Sequence, residues 1–544
     1  MQKVLTAEQM RTVDRLTTER YGIPSILLME NAAHAVARVI TEKLGGSVKG
    51  KSVLVLCGTG NNGGDGAALA RILWQNGADV SLVLLGLVDD TKGDARVNFE
   101  AVRLLSTRDL QVTPLLTLYE IPEPIPEAVS ELSCHDVFVD ALFGTGLTRP
   151  MSEEVKKFVS KLRFSGKWLL RIAIDLPSGL TADSGEIIGP AFHSAVTVTF
   201  TAPKYGNVLP PSSNYNGELI VANIGTPPEN FDLDGYVDDF TNELLLTDSS
   251  DIADWLTASQ FSSDSYKNKR GHTLVIAGSE NYSGAAVLAG NASMRTGVGL
   301  VTVVTPRSSK ALVASRLLPE VMVRGVVETE NGTISEAAYV EVGDLLEKSD
   351  SIVIGCGVSQ DESTKKFVVK VVENRRQPVI VDADALNLLS PFSANWPYAD
   401  AGGSDIILTP HEGEFMRLLG TDDKDAIKDR VAAVRDFAVK YKVILVLKGE
   451  RVLMGAPDGR VVVNPTGNSG LGKAGNGDTL AGILAGFVAQ AVRFNIDIFE
   501  TVVAAVYVAG MAGDIAEKKY GKRVMTASDV RECLTETFVE LAGN

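Results

Sequence analysis

The sequence is poor in cysteine and has no recognisable export signal. Its 544 residues include only four cysteines, Cys57, Cys134, Cys356 and Cys533. Their scattered positions match neither the spacing of a zinc site nor a disulfide framework, so we interpret them as reduced thiols in the core or in loops. Residues 1–20 are polar and periodic, unlike a signal peptide. We therefore expect a cytoplasmic protein.

Basic clusters and membrane-length apolar runs are also missing. The net charge is −16, and no stretch is rich in lysine and arginine, which argues against binding to nucleic acid or to an anionic membrane. The apolar segments 480–492 and 502–512 contain glycine and are too short to cross a bilayer, so we expect buried helices there. Anionic ligands would have to bind through local backbone amides and helix ends.

The composition itself is typical of a soluble α/β protein. A chain of 544 residues is too long for one hydrophobic core, so two or more domains are expected. Hydrophobic residues make up 45% of the chain, and the 51 glycines favour many tight turns between strands and helices. We also expect a homo-oligomer, although no residue pattern specifies one.

Local patterns in the first half predict two helices and then a strand–helix–strand unit. Thr6 and Gln9 can form a capping box that opens the first helix. The predicted elements are, in order, a helix to about Arg20, a helix after Pro24, a strand at 52–57, a glycine loop at 58–66, a helix at 67–75 and a strand at 79–85. The crossover between the two parallel strands is expected to be right-handed.

The glycine loop 58–66 has two interpretations. Its spacing is that of the Gly-x-Gly-x-x-Gly dinucleotide fingerprint, with Asp89 in the position of the ribose-binding acid. We disfavour this interpretation because a dehydrogenase loop places small apolar residues against the pyrophosphate, whereas this loop carries Asn61, Asn62 and Asp65. On the loop alone, an unliganded turn rich in Asn and Asp is equally well supported.

Two further strand ends favour a ligand site. Asp140 ends a predicted strand at 137–140, and Asp175 and Ser178 follow a predicted strand at 169–174. In an open parallel sheet, ligands bind outside the carboxyl ends of the strands, where Asn62 is also expected. Carboxylate, amide and hydroxyl oxygens together suit a hard cation.

At this point residues 1–224 resemble the NAD(P)H-hydrate epimerases. Four separated motifs occur in the same order as in that family: Leu-Met-Glu-Asn-Ala-Ala at 28–33, Asn-Asn-Gly-Gly-Asp-Gly at 61–66, Asp-Ala-Leu-Phe-Gly-Thr-Gly at 140–146 and Asp-Leu-Pro-Ser-Gly at 175–179. The resemblance implies a Rossmann-like three-layer αβα sandwich that interconverts the two epimers of hydrated NADH or NADPH.

The same resemblance implies a set of site residues. Asn62, Asp140 and Ser178 would hold a potassium ion, and Asp175 would move protons at the nicotinamide ring. The residues implied to line the hydrated nucleotide are Asn61, Asn62, Gly63, Gly64, Asp65, Gly144, Thr145, Gly146, Leu147, Thr148, Arg149, Pro150 and Asp175.

A second α/β domain is predicted from residue 265, after a linker and lead-in at 225–264 that is rich in proline and acidic residues. Runs of valine, isoleucine and leucine indicate parallel strands buried on both faces. These runs lie at 272–277, 300–304, 352–354, 379–381, 406–408 and 443–447. A hairpin is predicted at 451–463, with its turn at Pro457-Asp458-Gly459.

The stretch 464–478 is the most informative part of this second half. It is dense in glycine, ends at Asp478 and leads into an apolar helix. Its amides and the helix N-terminus suit a phosphate, and Asp478 is placed to take a proton from a hydroxyl that attacks phosphorus. The alternative is an ordinary acid in the first turn of a helix, which short motifs of this kind often prove to be.

Two residues at other strand ends also have two interpretations. His411 follows Thr-Pro and could simply cap a loop, but Glu412 and Glu414 beside it favour the rim of a polar pocket. Lys448 could be a solvated charge, whereas Gly449 next to it would allow a phosphate to approach closely.

Residues 265–541 resemble the ribokinase-like fold, and in particular the ADP-dependent NAD(P)H-hydrate dehydratases. The matching segments are 282–286, 382–387, 408–415 and 464–478. The resemblance implies that the hydrate contacts Ala285 or Ala286, Gly357, His411 and Asp478. The residues implied for the adenine nucleotide, which would be bound with magnesium, are Lys448, Gly449, Glu450, Arg451, Val452, Gly475, Asn476 and Gly477. The sequence departs from the family pattern at Tyr266, Asn268, Cys356, Val452 and Asn476.

The sequence therefore predicts an α/β protein of two domains that repairs hydrated NADH and NADPH. The first domain would epimerise the hydrate, and the second would dehydrate the S epimer through phosphorylation by ADP and loss of phosphate. One alternative is a vitamin kinase of the ribokinase class, which releases a phosphorylated product. In that alternative, the first domain is a binding module or scaffold without activity.

Overall fold

The computed structural model describes residues 1–106, 114–123, 132, 134–165, 167–228, 243–393 and 405–542. The chain divides into two units, one of Lys3–Phe240 and one of Thr241–Asn544 together with Met1–Gln2. The acidic part of the predicted linker, 229–239, lies outside the described residues.

The first unit is built from strands and helices in alternation. A short strand β1 (Gln2–Val4) comes first in the chain and is not part of this unit's sheet. The strands of that sheet are β2 (Ser52–Cys57), β3 (Asp79–Leu84), β4 (Leu116–Glu120), β5 (Val137–Ala141), β6 (Leu170–Ile174), β7 (Val196–Phe200) and β8 (Glu218–Ala222). Its helices are α1 (Ala7–Tyr21), α2 (Ser25–Lys43), α3 (Asn61–Gln75), α4 (Gly93–Leu105), α5 (Glu153–Ser165) and α6 (Tyr205–Val208). The predicted capping box of α1 is confirmed, because the side chains of Thr6 and Gln9 each bond the other's backbone N–H.

All strand pairs from β2 to β8 are parallel, in the order β4-β3-β2-β5-β6-β7-β8. The chain runs from β2 through β3 to β4 at one edge and then returns to β5 beside β2 before it continues to β8. This reversal is the topological switch point of the sheet, where ligands bind outside the carboxyl ends of the strands.

Alternating side chains of β2 show that helices cover both faces of the sheet. Val53 and Val55 belong to a core that includes residues of α2, α3 and α4, whereas Leu54 and Leu56 belong to a second core with Phe158 of α5. Successive residues of a strand point to opposite faces, so the sheet has a layer of helices on each side. The three-layer α/β architecture predicted for this half is confirmed.

The glycine loop 58–66 is shorter than predicted, because α3 begins at Asn61 and not at residue 67. Gly63 lies in the first turn of this helix, where a Cβ would come within 1.8 Å of the carbonyl oxygen of Gly58. Glycine is therefore required here by close packing of the helix start against the strand end. Sequence patterns do not reveal such a requirement, since it arises from a tertiary contact.

The second unit has strands β9 (Leu244–Leu246), β10 (His272–Ile276), β11 (Leu300–Pro306), β12 (Met322–Val326), β13 (Ser351–Ile354), β14 (Val379–Val381), β15 (Ile406–Leu408), β16 (Ile444–Leu447), β17 (Leu453–Gly455) and β18 (Val461–Val463). Its helices are α7 (Ser249–Ala258), α8 (Ser283–Met294), α9 (Lys310–Ala314), α10 (Ala338–Glu341), α11 (Gly343–Lys348), α12 (Glu362–Glu373), α13 (Asp384–Leu388), α14 (Glu412–Leu419), α15 (Arg430–Tyr441), α16 (Asn476–Phe494), α17 (Ile498–Tyr520), α18 (Ala527–Glu532) and α19 (Leu534–Ala542).

These ten strands follow the order β9-β18-β17-β16-β15-β14-β13-β10-β11-β12. The pairs from β16 to β12 are parallel, and β16, β17 and β18 are joined by antiparallel pairing. The predicted buried parallel strands and the predicted hairpin are thus confirmed. The switch point of this sheet lies between β10 and β13.

Helices α16 and α17 each have more buried residues than any other described helix of this unit. Among the described residues, α17 is the one helix long and apolar enough to cross a membrane, and 72% of its apolar window is buried inside the fold. A core helix has the same composition, and the predicted buried helices at 480–492 and 502–512 are confirmed.

The described end of the segment 225–264, which we interpret as linker and lead-in, contains strand β9 and helix α7. β9 pairs with β18, and the indole N–H of Trp255 in α7 donates to the hydroxyl of Thr501 at 3.0 Å. A strand of three residues carries too little sequence pattern to be recognised without its partner.

Candidate active sites

The carboxylate of Asp140 lies at the switch point of the first sheet and is completely buried. Ser178 contacts it twice, through its hydroxyl at 2.6 Å and its backbone N–H at 2.7 Å, and the N–H of Leu142 adds a third contact at 3.3 Å. Burial raises the pKa of Asp140 to about 6, although these hydrogen bonds act in the opposite direction. The Asp140 carboxylate in β5 is thus hydrogen-bonded to Ser178 in the loop after β6, so it connects the ends of these two strands.

Asp175 is held in an unusual backbone conformation next to a buried lysine. Its φ is 66°, in the left-handed region that few residues other than glycine adopt. The ammonium of Lys204 lies 2.7 Å from Oδ1, and the hydroxyl of Thr199 donates to the same oxygen at 3.1 Å. The N–H of Thr145 donates to Oδ2 at 3.1 Å. Backbone strain maintained by the surrounding contacts is characteristic of functional sites.

Asn62 brings an unsatisfied amide to the same place. Its Oδ1 and Nδ2 are both buried and have no hydrogen-bond partner. A Cβ added to Gly144 would lie 3.1 Å from Asn62 Oδ1 and 2.8 Å from Asp175 Oδ2, which shows how closely these groups approach one backbone position. A buried amide without a partner is costly, and a bound ligand is one way to supply the missing partner.

In the second unit, Asp478 lies in the first turn of α16. The helix starts at Asn476, two residues earlier than predicted, after Gly475 with a φ of 91°. Carboxylate oxygens of Asp478 and Asp382 and the sulfur of Cys356 lie within 4.8 Å of one another. Burial, followed by the charge of Asp382, raises the pKa of Asp478 to about 6.

Lys448 provides the positive charge beside these acids. Its ammonium lies 2.8 Å from Asp382 Oδ1 and 3.8 Å from Glu414 Oε2. The hydroxyl of Thr409 donates to the same Asp382 oxygen at 2.7 Å. Burial lowers the pKa of Lys448, but the two carboxylates outweigh it, so the pKa stands above its usual value. Lys448 is thus a buried ion-pair partner and not a solvated charge.

Comparison with known proteins identifies both halves of the chain. Residues 25–206 match the family model of the YjeF-related protein N-terminus, and residues 273–536 match that of NAD(P)H-hydrate dehydratase. The chain is 35% identical to the bifunctional NAD(P)H-hydrate repair enzyme Nnr of Moorella thermoacetica. The aligned region covers 98% of this chain and 96% of that enzyme. The chain belongs to this family of bifunctional NAD(P)H-hydrate repair enzymes.

A second relative covers nearly the whole chain, and a solved structure covers about half of it. The enzyme of the same name from Thermofilum pendens is 34% identical over 96% of this chain and 94% of its own. A solved structure of the ADP/ATP-dependent NAD(P)H-hydrate dehydratase of Bacillus subtilis, co-crystallised with ATP and Mg²⁺, is 28% identical. It covers 55% of this chain and 98% of its own, with a TM-score of 0.47.

Within this repair-enzyme chain, the predicted epimerase residues differ in burial. Gly63, Gly64, Gly144 and Leu147 are buried, whereas Asn61, Gly146, Thr148, Arg149 and Pro150 are exposed. Asp89, the ribose acid of the disfavoured dinucleotide interpretation, is an exposed residue that pairs with Arg96 at 2.9 Å.

The predicted dehydratase residues also differ in accessibility. Ala286 is completely buried in the core and Ala285 is partly exposed, so of the two only Ala285 presents surface to a ligand. A Cβ on Gly357 would lie 3.0 Å from the Cβ of Ala285, so these two residues are in direct contact.

His411 is the N-cap of α14. Its Nδ1 accepts hydrogen bonds from the N–H groups of Gly413 at 3.0 Å and Glu414 at 3.3 Å, while 56% of the side chain stays exposed. The capping interpretation therefore describes one ring nitrogen, and the other, Nε2, lies 3.5 Å from Oε1 of the buried Glu414.

Several site groups are missing from the predicted site residues. Lys204 and Thr199 contact Asp175, and Asp382 contacts Lys448. Glu414, predicted only for the rim of a polar pocket, lies 3.8 Å from Lys448. Asp14 of α1 also reaches the first site, since Lys204 and Asp175 are among its charged neighbours and burial raises its pKa to about 6. Lys204 and Asp382 could have been predicted from the sequence, because each follows a buried strand. No local pattern marks Asp14.

Proposed function

We propose that this chain repairs hydrated NADH and NADPH by two successive activities. The first unit interconverts the R and S hydrates, and the second dehydrates the S hydrate with ADP. The single observation that supports the proposal best is the carboxylate of Asp478, half-buried at the N-terminus of α16 beside Asp382 and Cys356. It combines a proton acceptor with a helix end that favours phosphate.

In the dehydratase step, the oxygen of the ring hydroxyl attacks the β-phosphorus of ADP, and Asp478 accepts the hydroxyl proton. AMP leaves, and the phosphorylated hydrate then loses inorganic phosphate from one ring carbon and a proton, which passes to water, from the neighbouring carbon as the ring double bond forms. The first backbone N–H groups of α16 face the transferring group, because they have no partner within the helix. Their charge stabilisation needs no rearrangement during the reaction.

Magnesium bound with the nucleotide would neutralise part of the phosphate charge. The chain offers it Asp382 Oδ2, whose one hydrogen-bonding contact is the Cys356 thiol at 3.9 Å, while Oδ1 holds Lys448. A carboxylate combined with phosphate oxygens is a donor set that suits this hard cation.

In the epimerase step, the composition of the hydrate does not change, so a proton taken from it must be returned. Asp175 is the group for this task, because Lys204 keeps an opposite charge 2.7 Å from its carboxylate. Asp65 lies one helical turn from Asn62 and has its pKa raised well above the usual range by burial and by the charge of Asp175. Asp65 is therefore a second carboxyl group near Asp175 for the return of the proton, and its raised pKa favours the protonated form.

Potassium fits the oxygen-rich centre formed by Asn62, Asp140 and Ser178, since Asn62 Oδ1 is buried without a partner. Asn62→Ala should therefore raise the potassium concentration needed for half-maximal epimerisation at least tenfold, while ADP-dependent dehydration of the S hydrate is unchanged. The measurement is epimerisation rate against potassium at constant ionic strength. An Asn62→Ala enzyme with the wild-type potassium response would remove this residue from the cation site.

The proposed function is tested by starting from each hydrate separately and following the dihydronicotinamide absorbance. With ADP, the S hydrate should be converted fully to the reduced cofactor, and the R hydrate should follow because epimerisation feeds the dehydratase. A vitamin kinase restores no absorbance from either hydrate. If the first unit has no epimerase activity, the R hydrate is not converted to the reduced cofactor. Running the assay with ADP and ATP in parallel determines the nucleotide preference.

A further inference from the structure

Arg430, the first residue of α15, lies next to the predicted nucleotide loop 448–452 and has unused hydrogen-bonding capacity. Its Nη1 donates to the carbonyl oxygen of Glu450 at 3.0 Å. Its Nε and Nη2 are buried and have no hydrogen-bond partner. These two nitrogens form one edge of the guanidinium, and such an edge binds a carboxylate or phosphate through two parallel hydrogen bonds.

The position of Arg430 is costly without a ligand. A cation at the first position of a helix faces the positive end of the helix dipole. Burial lowers the pKa of this guanidinium, and only 20% of the side chain is exposed. Leaving two of its nitrogens unpaired adds a further cost, which is greater for charged groups than for neutral ones.

The neighbours of this guanidinium edge indicate an anion. Glu412 Oε1 lies 3.5 Å from Nε, beyond good hydrogen-bond geometry, and this glutamate side chain is 56% exposed. On the other side, a Cβ on Gly449 would come within 3.0 Å of Nη2. The guanidinium is thus bordered by a loosely held carboxylate and by a residue without a side chain.

The other cation at the start of this loop is already committed. The ammonium of Lys448 bonds Asp382 Oδ1 at 2.8 Å and lies near Glu414. Arg451 uses its Nη1 on the carbonyl oxygen of Pro465. Arg430 is therefore a positive group next to Gly449 whose buried Nε and Nη2 have no acceptor among the described residues.

We infer that the Nε–Nη2 edge of Arg430 binds a phosphate of the adenine nucleotide, and that the carboxylate of Glu412 occupies this position until the nucleotide replaces it. Glu412 is easily displaced, because its carboxylate is 3.5 Å from Nε and its side chain is 56% exposed. The inference rests on the proposed function in one respect, namely that the loop 448–452 receives the nucleotide.

The test measures ADP affinity by calorimetry on the full chain, with thermal unfolding as a check of the fold. Arg430→Gln and Arg430→Lys should both weaken ADP binding about 10–100-fold, because a charge-assisted bidentate contact is lost in each. Glu412→Gln should strengthen ADP binding severalfold, since it removes the competing anion. Arg435→Gln is the matched control: this arginine of the same helix donates to the carbonyl oxygen of Gly459 at 3.0 Å and should leave the affinity unchanged.

The Arg430→Lys variant separates phosphate recognition from a structural role. It keeps the positive charge and most of the packing but loses the Nε–Nη2 edge that would form two parallel hydrogen bonds. Wild-type ADP affinity in Arg430→Lys, or weaker binding in Glu412→Gln, overturns the inference while the proposed function stands. If Arg430→Gln does not fold, these two variants still decide. Absence of ADP binding by the wild-type chain would overturn the nucleotide site and the inference together.

Discussion

Asp478→Asn is expected to lower the rate of ADP-dependent dehydration about 10²–10⁴-fold, the usual contribution of a general base. The amide keeps the shape of the side chain but cannot accept the hydroxyl proton. Epimerisation should be unaffected, because Asp175 and its partners lie in the other unit. The measurement is the recovery of dihydronicotinamide absorbance from the S hydrate at saturating ADP.

Glu500→Gln provides the matched control for this result. Glu500 is an exposed acid in the first turn of the neighbouring helix α17. It therefore has the same position in its helix as Asp478 but does not belong to the candidate site. If Asp478 were only an acid that stabilises its helix, both variants would lower stability slightly and neither would abolish dehydration. Dehydration by Asp478→Asn near the wild-type rate would refute its assignment as the base.

The pH dependence of the wild-type enzyme gives a second measurement on the same group. Burial and the neighbouring Asp382 raise the pKa of Asp478 to about 6, so the carboxylate form dominates above this pH. The dehydration rate should therefore fall as the pH is lowered through about 6. An acid limb near the ordinary pKa of aspartate, about 4, would show that another group accepts the proton.

Asp175→Asn is expected to lower epimerisation about 10²–10⁴-fold, again because a proton acceptor is lost. Dehydration of the pure S hydrate should continue at the wild-type rate, whereas the R hydrate should no longer be repaired. Chiral separation of the two hydrates during the reaction measures this directly. A normal rate of R-to-S conversion would remove Asp175 from the chemistry.

Asp136→Asn is the control in the same unit. Asp136 lies at the opposite end of the sheet, where its carboxylate accepts from the N–H of Ser52 at 2.9 Å. Its substitution removes a structural hydrogen bond from the same sheet, at a cost of about 0.5–1.5 kcal/mol in folding free energy. Loss of epimerisation confined to Asp175→Asn would thus separate catalysis from stability.

The sequence by itself determined the α/β class, the positions of most buried strands and the glycine-rich segments that follow them. These features depend on patterns within about ten residues, such as continuous Val/Ile/Leu runs and glycines at strand ends. The polar residues expected at the carboxyl ends of the first sheet also follow from this rule, since parallel strands end at a common edge.

Only the tertiary structure decided which charges meet at those edges. Lys204 reaches Asp175 and Lys448 reaches Asp382 across separations of 29 and 66 residues (204 − 175 and 448 − 382). The need for glycine at position 63 likewise arises from its close approach to Gly58. No local pattern encodes these pairings, because they exist only after the crossover connections have placed the strands side by side.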